Sequence, residues 1–233
     1  AIINRMGFNN HGVDALIANV KRAKFQGVLG INIGKNATTP IENAVDDYLT
    51  CLTKVYDHAS YITVNISSPN TKNLRALQSE DELRKLLGTL KEEQARLQQQ
   101  RGRYVPMAVK IAPDLNLEEI EAIAQVVTQV EMDGVIATNT TIDKSSLGNH
   151  PLAGEAGGLS GLPVRAQSEY VLQHLVHALK GKLPVIGVGG IVAGQDAATK
   201  KRLGASAVQI YSGMIYQGPS LVADCVREWV HTR

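Results

Sequence analysis

The sequence predicts an α/β fold, a parallel barrel of the (β/α)8 type, and three observations lead to that expectation. One unit recurs along the chain: a short apolar strand, a polar loop, an amphipathic helix. The strands lack a polar alternate face, as parallel strands covered on both sides do. Each strand also ends, at its C-terminal end, in residues that offer hydrogen-bonding groups or bare backbone. An open doubly wound sheet gathers its ligand site at one switch point, whereas a barrel arranges such groups in a ring around its mouth. A count of six strands would by itself suit an open sheet; the ring of polar ends favours the barrel.

The six strands are expected at 28–33, 61–66, 105–111, 134–138, 184–188 and 207–211. Between them lie helix start signals. Thr39-Pro40-Ile41-Glu42 supplies a cap, a proline at the first helical position and a glutamate at the third. Ser79-Glu80-Asp81-Glu82 reads as a capping box, followed by Leu83, Leu86, Leu87 and Leu90 on one helix face. Asn116 and Glu119 open a third helix whose Ile120, Ile123, Ala124 and Val127 face inward, and Gly204 stops a later one. The polar run 97–103 is expected to be the end of a helix rather than a linker.

Bulk composition narrows the function classes. A length of 233 residues fits one barrel domain, and 44% apolar content suffices for a sizeable core. Net charge is +2, so no polyanion partner is implied, and 4% aromatic residues disfavour a base-stacking RNA platform. Cys51 and Cys225 form neither a CxxC nor a zinc spacing and are expected to be free packing residues. His174 and His177 lie three apart on a helix, but no third ligand accompanies them, and no metal is expected. Trp229 is expected to pack a terminal helix. No run of about 18 apolar residues appears, so no transmembrane helix is expected in these residues. The chain opens on Ala1-Ile2-Ile3 without an initiator methionine, and we expect a piece of a longer polypeptide.

The strand ends hold the candidate chemistry. They read Asn32-Ile33-Gly34-Lys35-Asn36, Asn65-Ile66-Ser67-Ser68-Pro69-Asn70, Lys110-Ile111-Ala112-Pro113, Thr138-Asn139-Thr140-Thr141, Gly187-Val188-Gly189-Gly190 and Tyr211-Ser212-Gly213. Gly189-Gly190 removes side chains where backbone would approach a ligand. With Ser212-Gly213 after the next strand, it suggests a phosphate-bearing cofactor at the loops where barrels often bind one. Lys110 interrupts an apolar strand, and a buried cation must be paired or functional. The segment 140–163 is a long loop, a length usually tied to function.

Taken in order, Asn4 to Asn10, Gly30 to Asn36, Val64 to Asn70, Ala108 to Pro113, Ala137 to Thr141, Gly157 to Gly161 and Gly187 to Gly190 resemble dihydroorotate dehydrogenases of the quinone-using class over the whole chain. The resemblance implies FMN on a (β/α)8 barrel, with six of the eight barrel strands in this chain and residues 1–233 as the FMN-binding barrel domain. It implies oxidation of dihydroorotate to orotate in pyrimidine synthesis, with electrons passed to a quinone. Ser68 matches the catalytic base that takes the C5 proton while hydride leaves C6 for flavin N5. Asn4, Arg5, Met6, Gly7, Phe8, Asn65, Asn70, Asn139 and Thr140 match substrate-binding positions. Asn32, Asn65, Lys110, Thr138, Gly161, Gly190, Tyr211 and Ser212 match FMN-binding positions. In the family, an N-terminal helical pair meets the quinone and membrane, and two further barrel strands follow it; this chain matches neither. The resemblance implies a peripheral inner-membrane location on the cytoplasmic side and no nucleic-acid partner. Two alternatives stay open: another FMN barrel oxidoreductase acting on a different pyrimidine, and a non-catalytic incomplete fragment.

Overall fold

The computed structural model describes residues 1–7, 9–71 and 73–232. Its frame is a six-stranded parallel sheet in the order β2 (Gly30–Ile33), β3 (Tyr61–Asn65), β4 (Met107–Ile111), β5 (Gly134–Ala137), β7 (Val185–Val188) and β8 (Ala207–Gln209). All six expected strands form, each shorter than its expected range. Helices follow the strands as crossovers: α2 (Ala44–Val55), α3 (Glu80–Arg101), α4 (Leu117–Gln129), α5 (Arg165–Leu179) and α6 (Gly194–Arg202). The chain closes with α7 (Ser212–Gln217) and α8 (Ser220–His231). β2 and β8 are the outer strands of the sheet, which curves as a partial barrel.

Strand periodicity divides the sheet into two faces. Ile62, Val64, Val109, Ile111, Val135 and Ala137 face the helices and join the main core with Tyr48, Leu52, Leu83, Leu87, Ile120 and Ile123. The other face is the barrel interior. There Ala108, Ile136 and Val188 form a small separate cluster with Ile186 against it. One period above Ala108 on this inner face stands Lys110, and Asn65 is its register partner on β3. The centre of the sheet is covered on both sides as expected. β2 departs from that pattern: Gly30 and Asn32 are exposed while Ile31 and Ile33 are buried.

The caps explain where helices begin and where sequence signals fall short. Asn116 accepts from the Glu119 N–H at 2.9 Å, and the Glu119 carboxylate accepts from the Asn116 N–H at 2.8 Å. Such a cap contributes about 1 kcal/mol. α3 begins after Ser79 as expected, yet the Ser79 side chain makes no capping bond. Leu83, Leu86, Leu87 and Leu90 still bury fully, at about 2 kcal/mol each, so packing rather than capping holds this helix. The Thr39-Pro40 signal opens a short 3-10 turn at Ile41–Asn43, and α2 starts one turn later.

Three elements escaped the sequence pattern. α1 (Val13–Ala23) has no fully buried residue. β1 (Ile2–Asn4) pairs antiparallel with β6 (Gly158–Ser160), so the long loop after β5 is tethered at its far end to the first residues of the chain. At three residues each, both strands are too short to show alternation. Trp229 on α8 packs beside Ile191, Leu221 and Cys225, with Lys201 Nζ 5.6 Å from its ring centre.

Candidate active site

The mouth of the sheet has two sides, and the side after β3, β4 and β5 is built from side chains. Asn65 ends β3 on the inner face and is 1% exposed. Its carbonyl accepts from the Tyr48 hydroxyl at 2.6 Å, and burial pushes the Tyr48 phenol up, keeping it a donor. Asn65 Oδ1 accepts from Ser67 Oγ at 2.9 Å and from Asn139 Nδ2 at 3.3 Å. Asn139 Nδ2 also donates to Ser67 Oγ at 3.0 Å. These bonds join two strand ends 74 residues apart in sequence. Ser68 is 6% exposed, and its Oγ accepts from the Asn70 N–H at 3.2 Å. Asn70 Nδ2 donates to the Asn4 carbonyl at 3.0 Å and to Asn4 Oδ1 at 3.1 Å, which brings the end of β1 to the same place.

Behind these loops stands an ion pair that the sequence did not reveal. Arg75 donates from Nε to the Ser67 carbonyl at 3.1 Å, from Nη2 to the Thr140 carbonyl at 2.8 Å, and from Nη1 to Asp114 at 2.6 Å. Asp114 accepts in turn from the Thr141 hydroxyl and, at 3.2 Å, from the Ile142 N–H. One planar guanidinium therefore ties together the loops after β3, β4 and β5. Arg75 belongs to a short 3-10 turn with no periodicity to mark it.

Lys110 points into the barrel interior and donates to Gln209 Oε1 on β8 at 2.9 Å. Burial lowers its affinity for the proton, to a value of about 8. Its partner is a neutral amide, and among the described residues no carboxylate pairs with the ammonium in the barrel interior. Gln209 was also absent from the sequence reading.

The opposite side of the mouth is built from backbone. Ile191, in the loop after β7, meets Gly213 at the start of α7, and Gly161 after β6 lies beside the neighbouring Ser212. Ser212 Oγ donates to Ser160 Oγ at 2.8 Å, and a Cβ on Gly161 would stand 3.8 Å from the Ser212 Cβ. The expected reason for Gly189-Gly190 needs correction. A Cβ at Gly189 would stand 2.9 Å from Ser168 Cβ, and one at Gly190 would stand 2.5 Å from Arg165 Cα. The missing side chains thus admit the first turns of α5 rather than a ligand, with positive φ of +113° and +72° at the two glycines.

The same packing orients the amides. Arg165 Nε holds the Gly190 carbonyl at 3.0 Å, and Ser168 Oγ lies 3.1 Å from the Gly189 carbonyl. In a trans peptide the N–H points opposite to the C=O. The Gly190 and Ile191 N–H groups therefore point away from α5, and among the described residues neither has a hydrogen-bond partner. Buried N–H groups left without protein partners fit a ligand rich in acceptors, such as a phosphate.

The remaining sequence-predicted positions spread around this mouth. Thr138 is 1% exposed and donates from its N–H to the Val188 carbonyl at 2.9 Å, joining the two sides. Thr140 packs its side chain against Gly158. Asn32 and Gly7 line a cleft of about 520 Å³ beside β2. Arg5 turns outward to Glu155 at 2.6 Å, and Met6 and Tyr211 are 59% and 67% exposed. These three do not join the hydrogen-bonded cluster. Phe8 lies outside the described residues.

The chain has close relatives. The dihydroorotate dehydrogenase (quinone) of Neisseria meningitidis serogroup C is 70% identical over 226 residues, which are 97% of this chain and 68% of the relative. That of Chromobacterium violaceum is 65% identical over 227 residues, 97% of this chain and 66% of the relative. The crystal structure of DHODH from Eimeria tenella in complex with ferulenol superposes with a TM-score of 0.90 at 36% identity, covering 97% of this chain and 65% of that one. The chain spans about two thirds of the length of the relatives it matches. The family model for dihydroorotate dehydrogenase matches residues 1–232, and the chain belongs to that family.

Proposed function

We propose that this chain carries the flavin- and substrate-binding barrel of a quinone-dependent dihydroorotate dehydrogenase, oxidising (S)-dihydroorotate to orotate in pyrimidine synthesis. The observation that carries this reading is the linked Asn65–Ser67–Asn139 cluster at the mouth, with Ser68 and Asn70 following on the same loop after β3. Asn139 spends both ends of its amide inside the cluster. Asn65 Nδ2 and Asn70 Oδ1 have no protein partner among the described residues, leaving one donor and one acceptor for a pyrimidine ring. A site made of fixed amides rejects analogues that lack the matching groups.

The family is flavin-dependent, and the donor set fits FMN in particular. Gly161, Gly190 and Ser212 surround the amides that would take its phosphate. Lys110 would stand by the ring, where a cation stabilises negative charge, with Asn32, Asn65 and Thr138 as further contacts and Tyr211 at the rim. When bound, the flavin supplies the acceptor for the hydride that leaves C6 of the substrate. Ser68 takes the C5 proton. Its hydroxyl already accepts from the Asn70 N–H, and its own proton has no protein acceptor among the described residues, which leaves water as the outlet. Arg75, itself fixed by Asp114, holds the Ser67 and Thr140 carbonyls still while this happens. Asn4, Gly7 and Thr140 complete the substrate side in this reading, to which the neighbouring Arg5, Met6 and Phe8 also belong by resemblance.

Residues 1–233 form the barrel domain in this reading, and quinone and membrane contact belong to the further length that the relatives possess. No helix among the described residues is long and apolar enough to cross a membrane. The protein would sit peripherally on the cytoplasmic side of the inner membrane. The test is the visible spectrum of the purified protein under anaerobic conditions. A flavin spectrum that bleaches on adding dihydroorotate is expected. A colourless protein that takes up no added FMN would overturn the cofactor, and a flavin that dihydroorotate leaves oxidised would overturn the substrate.

A further inference from the structure

The loop Gly189–Ile191 conceals a cation that the reaction does not use. Lys200, on α6, is 0% exposed. Its aliphatic stem runs under Gly187, where a Cβ would stand 2.9 Å from Lys200 Cδ. Its ammonium donates to Ser168 Oγ at 2.8 Å, and among the described residues no carboxylate lies within 4.0 Å of it. The carboxylate of Asp196, on the same helix, is taken by Arg165 Nη2 at 2.7 Å and by the Val192 and Ala193 N–H groups, each at 2.9 Å. Three N–H donors thus meet one hydroxyl.

A buried ammonium with so little compensation is costly, and a methionine would fill the same space without that cost. Packing alone therefore gives no reason for the charge. The charge does have a route to the mouth. Lys200 donates to Ser168, and Ser168 Oγ faces the Gly189 carbonyl at 3.1 Å and the Arg165 carbonyl at 2.9 Å. With the ammonium donating to it, the serine proton is free to go to one of those carbonyls only. When it goes to Gly189, the polarised peptide presents a stronger Gly190 N–H donor on its far side.

We propose that Lys200 is the counter-charge for an anionic phosphate held at the Gly190 and Ile191 amides, with Ser168 and Arg165 as the positioning residues that aim those amides. This rests on the flavin reading above, in which the phosphate is the terminal group of FMN. Burial holds the lysine at about 8, with Glu169 and Asp196 opposing that shift and Arg165 adding to it, so the ligand-free site already carries most of its positive charge at neutral pH. A dianion at the amides would supply the missing compensation.

The test compares two ligands that differ only in the phosphate. The full-length protein, stripped of flavin, is titrated with FMN and with riboflavin, and the ratio of the two dissociation constants is read. In Lys200→Met the preference for FMN should fall by at least about tenfold, as expected for removing one screened unit charge, while riboflavin affinity stays within about threefold. A merely structural lysine would move both affinities together, so an unchanged ratio would overturn the proposal. Should Lys200→Met fail to fold, Ser168→Ala decides: the proposal expects a preference reduced about threefold or more, and a ratio equal to the unmodified protein's overturns it. An unmodified protein that binds neither flavin is a separate result, which overturns the flavin reading and this proposal with it.

Discussion

The two sides of the mouth solve the same problem with different materials. After β3, β4 and β5 the polar groups at the mouth are side chains: the Asn65, Asn70 and Asn139 amides and the Ser68 hydroxyl, braced by Arg75 and Asp114. After β7 they are the Gly190 and Ile191 N–H groups, aimed by residues of α5 that grip the opposite carbonyls. The difference decides what a mutation does. On the first side a functional group can be deleted while the backbone stays where it is. On the second, any added atom displaces the backbone that carries the function, so binding and folding change together.

The sharpest separation comes from Ser68→Ala. The hydroxyl is deleted at a buried position where, among the described residues, only the Asn70 N–H loses a partner. Loss of a general base should slow flavin reduction by dihydroorotate by about 10²–10⁴-fold. Flavin content should be unchanged, because in the proposed function the phosphate is held from the other side. Rapid-mixing absorbance measures both. A reduction rate within tenfold of the unmodified protein would remove Ser68 from the role of base. Gly190→Ala is the counterpart on the backbone side. Its Cβ would stand 2.5 Å from Arg165 Cα at a φ of +72°, so either helix α5 or the loop must move. Overpacking and a left-handed alanine together cost roughly 2–5 kcal/mol, read by urea unfolding. Flavin should be lost in the same variant. Unmodified stability with flavin retained would show that the loop tolerates displacement, and the contrast between the two sides would collapse.

The same contrast explains what the sequence could disclose. Asn65, Ser68, Asn70 and Asn139 were legible because polar residue types at the end of apolar strands are conspicuous, and their spacing repeats with the strands. Gly189-Gly190 was legible as a place but not for its reason. The pair was expected to make room for a ligand, and it makes room for Arg165 and Ser168, which lie 21 and more residues earlier in the chain. Arg75, Asp114, Gln209 and Lys200 were invisible. Each acts through a contact with a segment distant in sequence, and nothing local marks a lysine on α6 as buried when Lys201 beside it is not. The β1–β6 pair failed to appear for a different reason: three residues are too few to show a period.

Lys110 offers a smaller and more delicate test, because its charge belongs to the side-chain side but spans the barrel to Gln209. Burial holds its pKa at about 8, against an ordinary 10.5. Between those values the unfolded chain binds more protons than the folded one, so this residue's contribution to stability rises with pH across that window. Below pH 8 both states are charged, and the fold bears the full cost of the buried ammonium, up to about 3 kcal/mol. Above 10.5 both are neutral and the cost is gone. Lys110→Met removes the titration. The variant's stability relative to the unmodified protein should therefore be most favourable below pH 8 and should decline as pH rises toward 10.5. Replacing the lysine also strands the Gln209 carbonyl oxygen, but that penalty is independent of pH and leaves the slope untouched. Groups such as Tyr104, which burial raises to about 12, titrate in both proteins and cancel in the difference. Denaturant unfolding of the flavin-free pair at three pH values reads the slope. A flat difference would mean that the ammonium is solvated where it stands. A declining one would mean that the fold tolerates an unstable charge at the inner end of β4, which makes sense only if something negative is meant to lie against it.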